Sequence, residues 1–277
     1  MTALRVLAEN GVEATLDDDG ATFSAADGYK LTLDNAAKTC FYAPRDEWRP
    51  IMERFFGKAA RSSELPLVDE LSREQLLAQI RTRVLAVDAL TMGGIDMSGY
   101  ARPVADDLAV VLCVDFPETV TYVSGADAAR LGDLDELFRA GQANTDDEPI
   151  DQIEHVAEHG VTIVDGTSVF TSSKVLNMPA LLERMDVADA PHGVVFAVPD
   201  RGIVVLHVIA DLSSVEAIGR VALIGRSLHD DAVYPVSPHT YHWHRGTLAR
   251  ISEFSETGEL ALRPTEDLMT VINSLVD

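Results

Sequence analysis

The first sixty residues alternate between short hydrophobic runs and acidic or glycine-containing turns. In residues 12–16, 21–25 and 29–33 apolar and polar side chains alternate, and an Asp-Gly dipeptide separates the last two runs. This pattern is typical of antiparallel strands joined by tight turns. It predicts a small β-meander, with residues 39–42 as a candidate fourth strand.

Helical spacing flanks this predicted meander on both sides. An apolar stripe over residues 4–8 ends at Asn10-Gly11, a common signal for a helix C-terminus. A second helix is predicted from about Arg45 to Lys58, because apolar residues recur there at helical intervals. These apolar residues are Trp48, Ile51, Met52, Phe55 and Phe56.

A capping box in residues 72–75 predicts the start of a third helix. Leu76, Ile80 and Val84 would share one face of it, so the helix is expected to continue through Val84. Residues 90–103 contain three glycines and a proline, which predicts a loop or a domain boundary.

The rest of the chain groups its predicted strands in pairs instead of alternating single strands with helices, which favours antiparallel sheets. We therefore predict an α+β fold of antiparallel sheets, each covered by helices. It would form either two lobes, residues 1–90 and 105–277, or one continuous domain. The expected elements are strands at 108–114 and 118–123, a helix at 126–140, an acidic connector at 144–149, a strand at 161–164, a partly helical segment at 172–185, a hairpin of 194–198 with 203–209, a helix opened by a capping box at Ser213, strands within 232–254 and a C-terminal helix around Ile272.

The charge balance restricts the classes of partner. The 277 residues include 45 acidic and 22 basic side chains, for a net charge of −23. Such a surface repels nucleic-acid phosphates and anionic lipid, so neither a nucleic acid nor a membrane is an expected partner. A basic protein would be attracted, although high net charge also serves solubility alone.

The cysteines and the N-terminus bear on the compartment. Cys40 and Cys113 are too few for a disulfide framework in a chain of this length, and both lie in hydrophobic runs. The first ten residues lack a signal-peptide pattern, and no run approaches the ~20 apolar residues of a membrane span. These features predict a cytoplasmic protein.

Three stretches of the chain are similar to a known family. They are residues 79–83, 165–176 and 197–201, with the sequences Gln-Ile-Arg-Thr-Arg, Asp-Gly-Thr-Ser-Val-Phe-Thr-Ser-Ser-Lys-Val-Leu and Ala-Val-Pro-Asp-Arg. In content and order they resemble the YtpQ-like family of uncharacterised bacterial proteins, and the likeness extends loosely over most of the chain. The resemblance implies a cytosolic α+β protein, and it implies no catalytic residue.

One candidate metal motif is His155-Val-Ala-Glu158-His159, which matches the inverted zincin pattern. On a helix, His155 and His159 would share a face and could bind zinc, with Glu158 as the general base. The family resemblance instead implies an extended segment. On a strand the two histidines would lie about 13 Å apart, too far to share one metal.

A second candidate lies in the segment from His239 to His244. On a strand, His242 and His244 would point the same way and could form a metal or proton-transfer site, with His239 on the opposite face. The alternative is a polar, aromatic-rich edge strand. No cofactor is otherwise expected, and a divalent metal is the one considered.

Basic residues supply candidate contacts with an anion or a partner. If residues 80–84 form a strand, Arg81 and Arg83 face one side and could bind an acidic group; at a helix end they would complement its dipole. Arg201, in the predicted hairpin turn, is a third candidate. Lys174 follows two serines, for which helix capping is favoured over a Ser–Lys dyad.

No catalytic pattern stands out from these alternatives. The leading hypothesis is therefore a non-catalytic protein-binding module, of the chaperone, adaptor or immunity type, with a protein partner that carries basic groups. The alternative is a metal-dependent hydrolase that uses one of the two histidine clusters.

Overall fold

The computed structural model describes residues 2–17, 20–25, 30–57, 68–91, 95–116, 119–255 and 257–275. Within these residues the chain is an α+β protein in which every strand pairing is antiparallel, as predicted. None of the described helices is both long enough and apolar enough to cross a membrane.

The N-terminal part is a three-stranded meander with helices packed on it. Helix α1 (Thr2–Glu9) precedes strands β1 (Ala14–Leu16), β2 (Thr22–Ala25) and β3 (Lys30–Thr32), which lie in the order β1-β2-β3. Helix α2 (Asp34–Tyr42), a 3₁₀ turn (Arg45–Glu47) and helix α3 (Trp48–Phe56) follow. Their shared core consists of Ala3, Val6, Leu7, Phe23, Ala36, Cys40, Ile51, Met52 and Phe56.

The predicted strand over residues 39–42 is wrong, because these residues form the last turn of α2. Ala36 and Cys40 are both buried, whereas Phe41 is 81% exposed. Burial at a spacing of four residues is the helical pattern, and the run from residue 39 to 42 is too short to show it by itself.

A four-stranded sheet forms the middle of the molecule. Helix α4 (Arg73–Gln79) begins with the predicted capping box, in which Ser72 Oγ accepts from the Gln75 amide. Strand β6 (Leu108–Phe116) pairs with β4 (Ile80–Ala86) on one edge and with β5 (Arg102–Ala105) and β7 (Thr119–Tyr122) on the other. Helices α5 (Gly125–Ala128) and α6 (Leu134–Asp147) follow, and α6 packs on β4.

Three predictions in this region are corrected. The helix ends at Gln79 instead of continuing through Val84, and residues 80, 82 and 84 are buried with the two-residue period of a strand. The segment at 90–103 connects strands of one sheet, because β4 and β6 pair along their whole length. The division into residues 1–90 and 105–277 therefore cuts through a sheet, and the acidic connector over 144–147 is the end of α6.

The C-terminal part is built on a six-stranded sheet in the order β13-β12-β10-β11-β9-β8. Its strands are β8 (Gln152–Val156), β9 (Val161–Asp165), β10 (Val194–Asp200), β11 (Ile203–Val208), β12 (Thr240–His244) and β13 (Thr247–Arg250). The predicted hairpin is β10 with β11. A 3₁₀ helix (Thr171–Asn177), α7 (Met178–Arg184), α8 (Ser214–Asp231), a small hairpin of β14 (Ser252–Phe254) with β15 (Leu260–Leu262), and α9 (Glu266–Ser274) complete the chain.

The two larger sheets share a hydrophobic core. Val84 and Leu108 of the four-stranded sheet belong to the same buried cluster as Val194, Phe196 and Tyr241 of the six-stranded sheet. The opposite face of the six-stranded sheet packs against α8 and α9. Helix α8 starts where predicted, but Ser213 does not cap it, since its hydroxyl donates to Asp211 at 2.5 Å.

Candidate anion-binding site

Arg81 and Arg83 lie on the same face of β4, which is the strand alternative considered from the sequence. Arg81 Nε donates to Glu148 Oε1 at 2.9 Å, and its guanidinium lies 3.9 Å from Asp115. The other oxygen of Glu148 accepts from the Ser168 hydroxyl at 2.9 Å. The charge of Arg81 is therefore neutralised within the protein.

Arg83 has a different environment from Arg81. Its guanidinium lies over the ring of Tyr122, with Cζ 5.2 Å from the ring centroid. Its Nε is buried and has no acceptor. A buried N–H group without a partner is uncommon and costs free energy, so this side chain requires an explanation.

Arg201 lies in the turn between β10 and β11. Its guanidinium is stacked on Tyr234, with Cζ 3.2 Å from the ring centroid. The adjacent Asp200 carboxylate accepts instead from the backbone amides of Gly202 and Tyr234, at 2.9 and 3.0 Å. Those two bonds hold the turn against the Tyr234 segment and so fix the position of Arg201.

Arg83 and Arg201 lie within electrostatic reach of each other. Burial lowers the pKa of Arg201 and the charge of Arg83 lowers it further, whereas Tyr234 and the Asp200 carboxylate act in the opposite direction. Burial likewise raises the pKa of Tyr122, against the charges of both Arg83 and Arg201. The charges of these two arginines, which come from different sheets, therefore both act on Tyr122.

The lack of an ion-pair partner at Arg83 and Arg201 is unusual for so acidic a chain. Among the described residues, Arg83 and Arg201 are the two arginines that are partly buried and have no carboxylate within ion-pair distance. The other partly buried arginines all have one. The chain has 45 acidic residues, so carboxylates that could pair with Arg83 and Arg201 are abundant. These two arginines are therefore the candidates for contact with an anionic group from outside the protein.

A cleft of about 420 Å³ adjoins Arg201. Such a volume suits a side chain or a small molecule. Its walls come from the segment after β9, the β10–β11 turn and the end of α8. Its polar lining includes Thr167, Ser168, Arg201, Asp231 and Tyr234.

The first predicted metal motif does not have the helical geometry that it requires. His155 lies on β8, where its Nδ1 is 2.9 Å from Thr162 Oγ1, while Glu158 and His159 lie in the turn that follows. His159 Nε2 is 3.5 Å from Glu158. Because the segment is a strand and a turn, the two histidines do not share a helix face.

The second histidine cluster converges in part. His242 and His244 on β12 stack with ring centroids 5.7 Å apart, and their Nδ1 atoms lie 3.7 and 2.8 Å from Asp267 Oδ2 on α9. Their Nε2 atoms face the carbonyls of His192 and Pro191. Asp267 was not predicted, because nothing in the sequence links α9 to β12.

His239 does not join this pair. It precedes β12 and contacts Ser252 and the ring of Phe254. Across the described parts of the chain, no group of three or more His, Cys, Asp or Glu side chains is arranged to hold a metal ion. The hydrolase alternative therefore has no specific structural observation in its favour.

The buried histidines give the protein a predicted sensitivity to acid. Burial lowers the pKa of His207, His229, His239 and His242 from the usual value. As the pH falls below about 6.5, the unfolded chain then binds more protons than the folded one. The burial of these histidines in their neutral form therefore contributes its full stability above this pH, and the contribution is lost as the pH falls below it.

We therefore expect the free energy of unfolding to fall between about pH 7 and about pH 5, measured by urea denaturation in about 1 M salt. The salt screens repulsion among surface carboxylates, which acid would otherwise relieve. His207→Gln should make the dependence shallower. A constant or rising stability over this range would contradict the prediction.

Lys174 has a structural position that was not predicted. It is 2% exposed, and its Nζ donates to the carbonyls of Thr145, Asp146 and Glu148 at 2.8, 2.9 and 2.7 Å. Burial and the neighbouring Arg184 lower its pKa to about 8. Ser173 Oγ accepts from the Val84 amide, so these residues form neither a Ser–Lys dyad nor a helix N-cap.

No family model, curated protein or solved structure matches the chain. The likeness to the YtpQ-like family therefore stays a prediction from the sequence. The three arginines were candidates from the sequence, and the structure places Arg81 and Arg83 on one face of β4 and Arg201 beside the cleft. Tyr122, Tyr234 and Ser168 were missed, since an isolated tyrosine or serine carries no sequence signal.

Proposed function

We propose that the protein is a non-catalytic protein-binding module that receives an anionic group of its partner at Arg83 and Arg201. The observation that carries this proposal is the pair of partly buried arginines that lack a carboxylate partner. An anion from outside would complete the pair without the loss of any existing ion pair.

An exposed aromatic side chain near the cleft supports a protein partner. Lys38 on α2 donates to the carbonyl of Ala232, a residue of the cleft wall, at 3.1 Å. Phe41 follows Lys38 by one helical turn and is 81% exposed. Aromatic side chains of this kind frequently anchor protein interfaces.

The acidic surface and the arginine pair act at different ranges. The net charge of −23 attracts a partner with basic groups from a distance, and this attraction mainly speeds association. The arginine pair acts at contact, where it selects a partner that also presents one anionic group. The proposed partner is therefore a protein in which basic residues surround an anionic one.

The test is capture of a stoichiometric partner by the immobilised protein from an extract of the source organism. Arg83→Gln and Arg201→Gln should each reduce capture about tenfold, because each removes one charge-assisted contact. Arg139→Gln is the matched control, since Arg139 is exposed and has no ion pair. The Arg139→Gln variant changes the net charge by the same amount as the other two variants, and it should capture as much partner as the wild-type protein.

Equal capture by the Arg201→Gln and Arg139→Gln proteins would contradict the proposed site. The absence of any stoichiometric partner of the wild-type protein would contradict the proposed function. Circular dichroism of each variant establishes that the fold is retained before capture is compared.

A further inference from the structure

We infer that the edge strand β8 binds an extended segment of a protein partner by strand addition, and that basic and apolar residues alternate in this segment. The inference goes beyond the arginine contact, and it rests on the proposed function only in that the partner is a protein. It is carried by the free backbone edge of β8, by the exposure of this edge and by the charge beside it.

Strand β8 forms one edge of the six-stranded sheet, and among the strands that the structure describes it pairs with β9 alone. The register of the sheet determines which backbone groups of β8 face outward. The amide of Gly166, which follows β9, donates to the carbonyl of Gly202 at 3.0 Å, in register with the pairing of β9 and β11. Backbone groups alternate in direction along a strand, so β9 directs its even-numbered residues to β11 and its odd-numbered residues to β8.

The residues of β8 that lie opposite the odd-numbered residues of β9 are Gln152, Glu154 and Val156. The N–H and C=O groups of the intervening Ile153 and His155 consequently point away from the sheet. Within the described parts of the chain, no side chain or backbone group forms a hydrogen bond with any of these four groups. They form a free backbone edge with which a further strand would pair.

A comparable edge of the four-stranded sheet is closed by side chains. Thr145 Oγ1 accepts from the amide of Thr82 at 3.1 Å, and Ser173 Oγ accepts from the amide of Val84 at 3.0 Å. No residue of β4 is exposed, whereas three of the five residues of β8 are exposed. The protein therefore covers the edge at β4 with its own residues and leaves the edge at β8 accessible.

The side chains on one face of this edge favour a basic segment. Gln152, Glu154 and the Asp165 side chain of β9 lie on the same face of the sheet, and all three are exposed. Neither carboxylate has an ion-pair partner among the described residues. On an added antiparallel strand, the residue opposite Glu154 would belong to a non-hydrogen-bonded pair, in which the two side chains are closest. A lysine or arginine there would pair with Glu154.

The other face of β8 favours apolar side chains at alternate positions of the segment. Ile153 is half-buried and packs at the border of the core that the two larger sheets share. An added strand would place every second side chain beside Ile153, where valine or another β-branched residue would extend this packing. The two faces together specify alternation of basic and apolar residues.

The carboxylate of Glu154 disfavours pairing between two copies of this chain. Antiparallel pairing of two β8 strands through all of their outward groups would place Glu154 opposite Glu154 of the second copy. Like charges directly opposite each other destabilise a strand pair, and the net charge of −23 on each chain adds to the repulsion. The edge at β8 therefore suits a different protein with an extended basic segment.

The test uses the 277-residue chain and a blocked pentapeptide of the sequence Lys-Val-Lys-Val-Lys. A peptide with glutamate in place of each lysine is the matched control, and binding is measured by NMR titration. We expect the lysine peptide to bind about tenfold more tightly than the glutamate peptide. In its complex, hydrogen exchange of the Ile153 and His155 amides should slow about tenfold or more. Exchange of the Glu154 amide, which faces β9, should change little.

His155→Pro tests the backbone contact, and His155→Ala is its matched control. Proline removes the outward N–H without breaking a bond to β9, and an edge strand tolerates this change. It should lower affinity for the lysine peptide about tenfold, whereas alanine keeps the N–H and should change affinity less than about twofold. Glu154→Gln should lower affinity about threefold and weaken its dependence on salt. Circular dichroism establishes that each variant is folded, and the exchange measurement on the wild-type protein does not depend on any variant.

Equal affinity for the two peptides, or unchanged exchange of the Ile153 and His155 amides in the complex, would overturn the inference. A dimer of the wild-type chain in sedimentation that His155→Pro abolishes would also overturn it, because the edge would then belong to a second copy. If the two His155 variants capture equal amounts of partner while capture still depends on Arg201, the proposed function holds and this inference fails. If the lysine peptide protects the β8 amides while capture does not depend on Arg201, the arginine contact fails and this inference holds.

Discussion

Replacement of Lys174 by methionine is expected to lower the free energy of unfolding by about 3 kcal/mol. Methionine fills similar space but cannot donate a hydrogen bond. The carbonyl of Glu148 would then lose its bond from Lys174, and those of Thr145 and Asp146 would keep only their bonds from the Glu148 amide and from Arg184. A buried carbonyl without a partner costs about 1–3 kcal/mol, and each lost charge-assisted bond adds to this cost.

Urea denaturation at neutral pH measures this loss as a lower midpoint at an unchanged slope. Lys38→Met is the matched control, because Lys38 is exposed and makes one bond to a carbonyl, that of Ala232. It should cost less than about 1 kcal/mol. Similar losses of unfolding free energy in the two variants would show that burial does not account for the contribution of the Lys174 hydrogen bonds.

The position of Lys174 also connects stability with the candidate site. Glu148, whose carbonyl accepts from Lys174, holds Arg81 and Ser168 through its carboxylate. Loss of the ammonium should therefore loosen the start of the segment that leads from α6 to β8. We expect this side chain to influence capture of the partner indirectly, without any contact with the partner.

Gly193→Ala is expected to destabilise the protein by about 4 kcal/mol. Gly193 has a φ of +86°, which disfavours any residue with a Cβ. A Cβ at this position would also overlap the carbonyl oxygen of Trp243 and lie 2.7 Å from His242 Nε2. The turn around Gly193 would have to move away from the buried pair of His242 and His244.

Gly246→Ala separates the two causes of this cost. Gly246 has a φ of +81°, but a Cβ there would meet nothing within 4 Å. It should therefore cost about 1 kcal/mol, from backbone strain alone. Thermal and urea denaturation of both variants measure the difference. Equal losses of unfolding free energy would mean that the turn at Gly193 accommodates a Cβ without disturbing the packing around it.

Local patterns were sufficient for many individual elements. The hairpin of β10 with β11, the meander of β1 to β3 and the capping box at Ser72 follow from alternation, turn residues and short-range hydrogen bonds. The strand at residues 80–86 was predicted as helix because its apolar residues also fit a spacing of four. Pairing with β6 decided between the two structures, and that partner lies beyond the predicted loop.

The sequence by itself determined the α+β class, most strands and helices, the acidic character of the surface and the identity of Arg81, Arg83 and Arg201 as candidates. The tertiary structure decided that Arg81 is neutralised by Glu148, whereas Arg83 and Arg201 lie over tyrosine rings with no carboxylate within ion-pair distance. It also decided that Lys174 terminates α6 and that Asp267 lies between two histidines. Periodicity reports which face of an element is buried, but the choice of partner for a charged side chain depends on how distant elements pack.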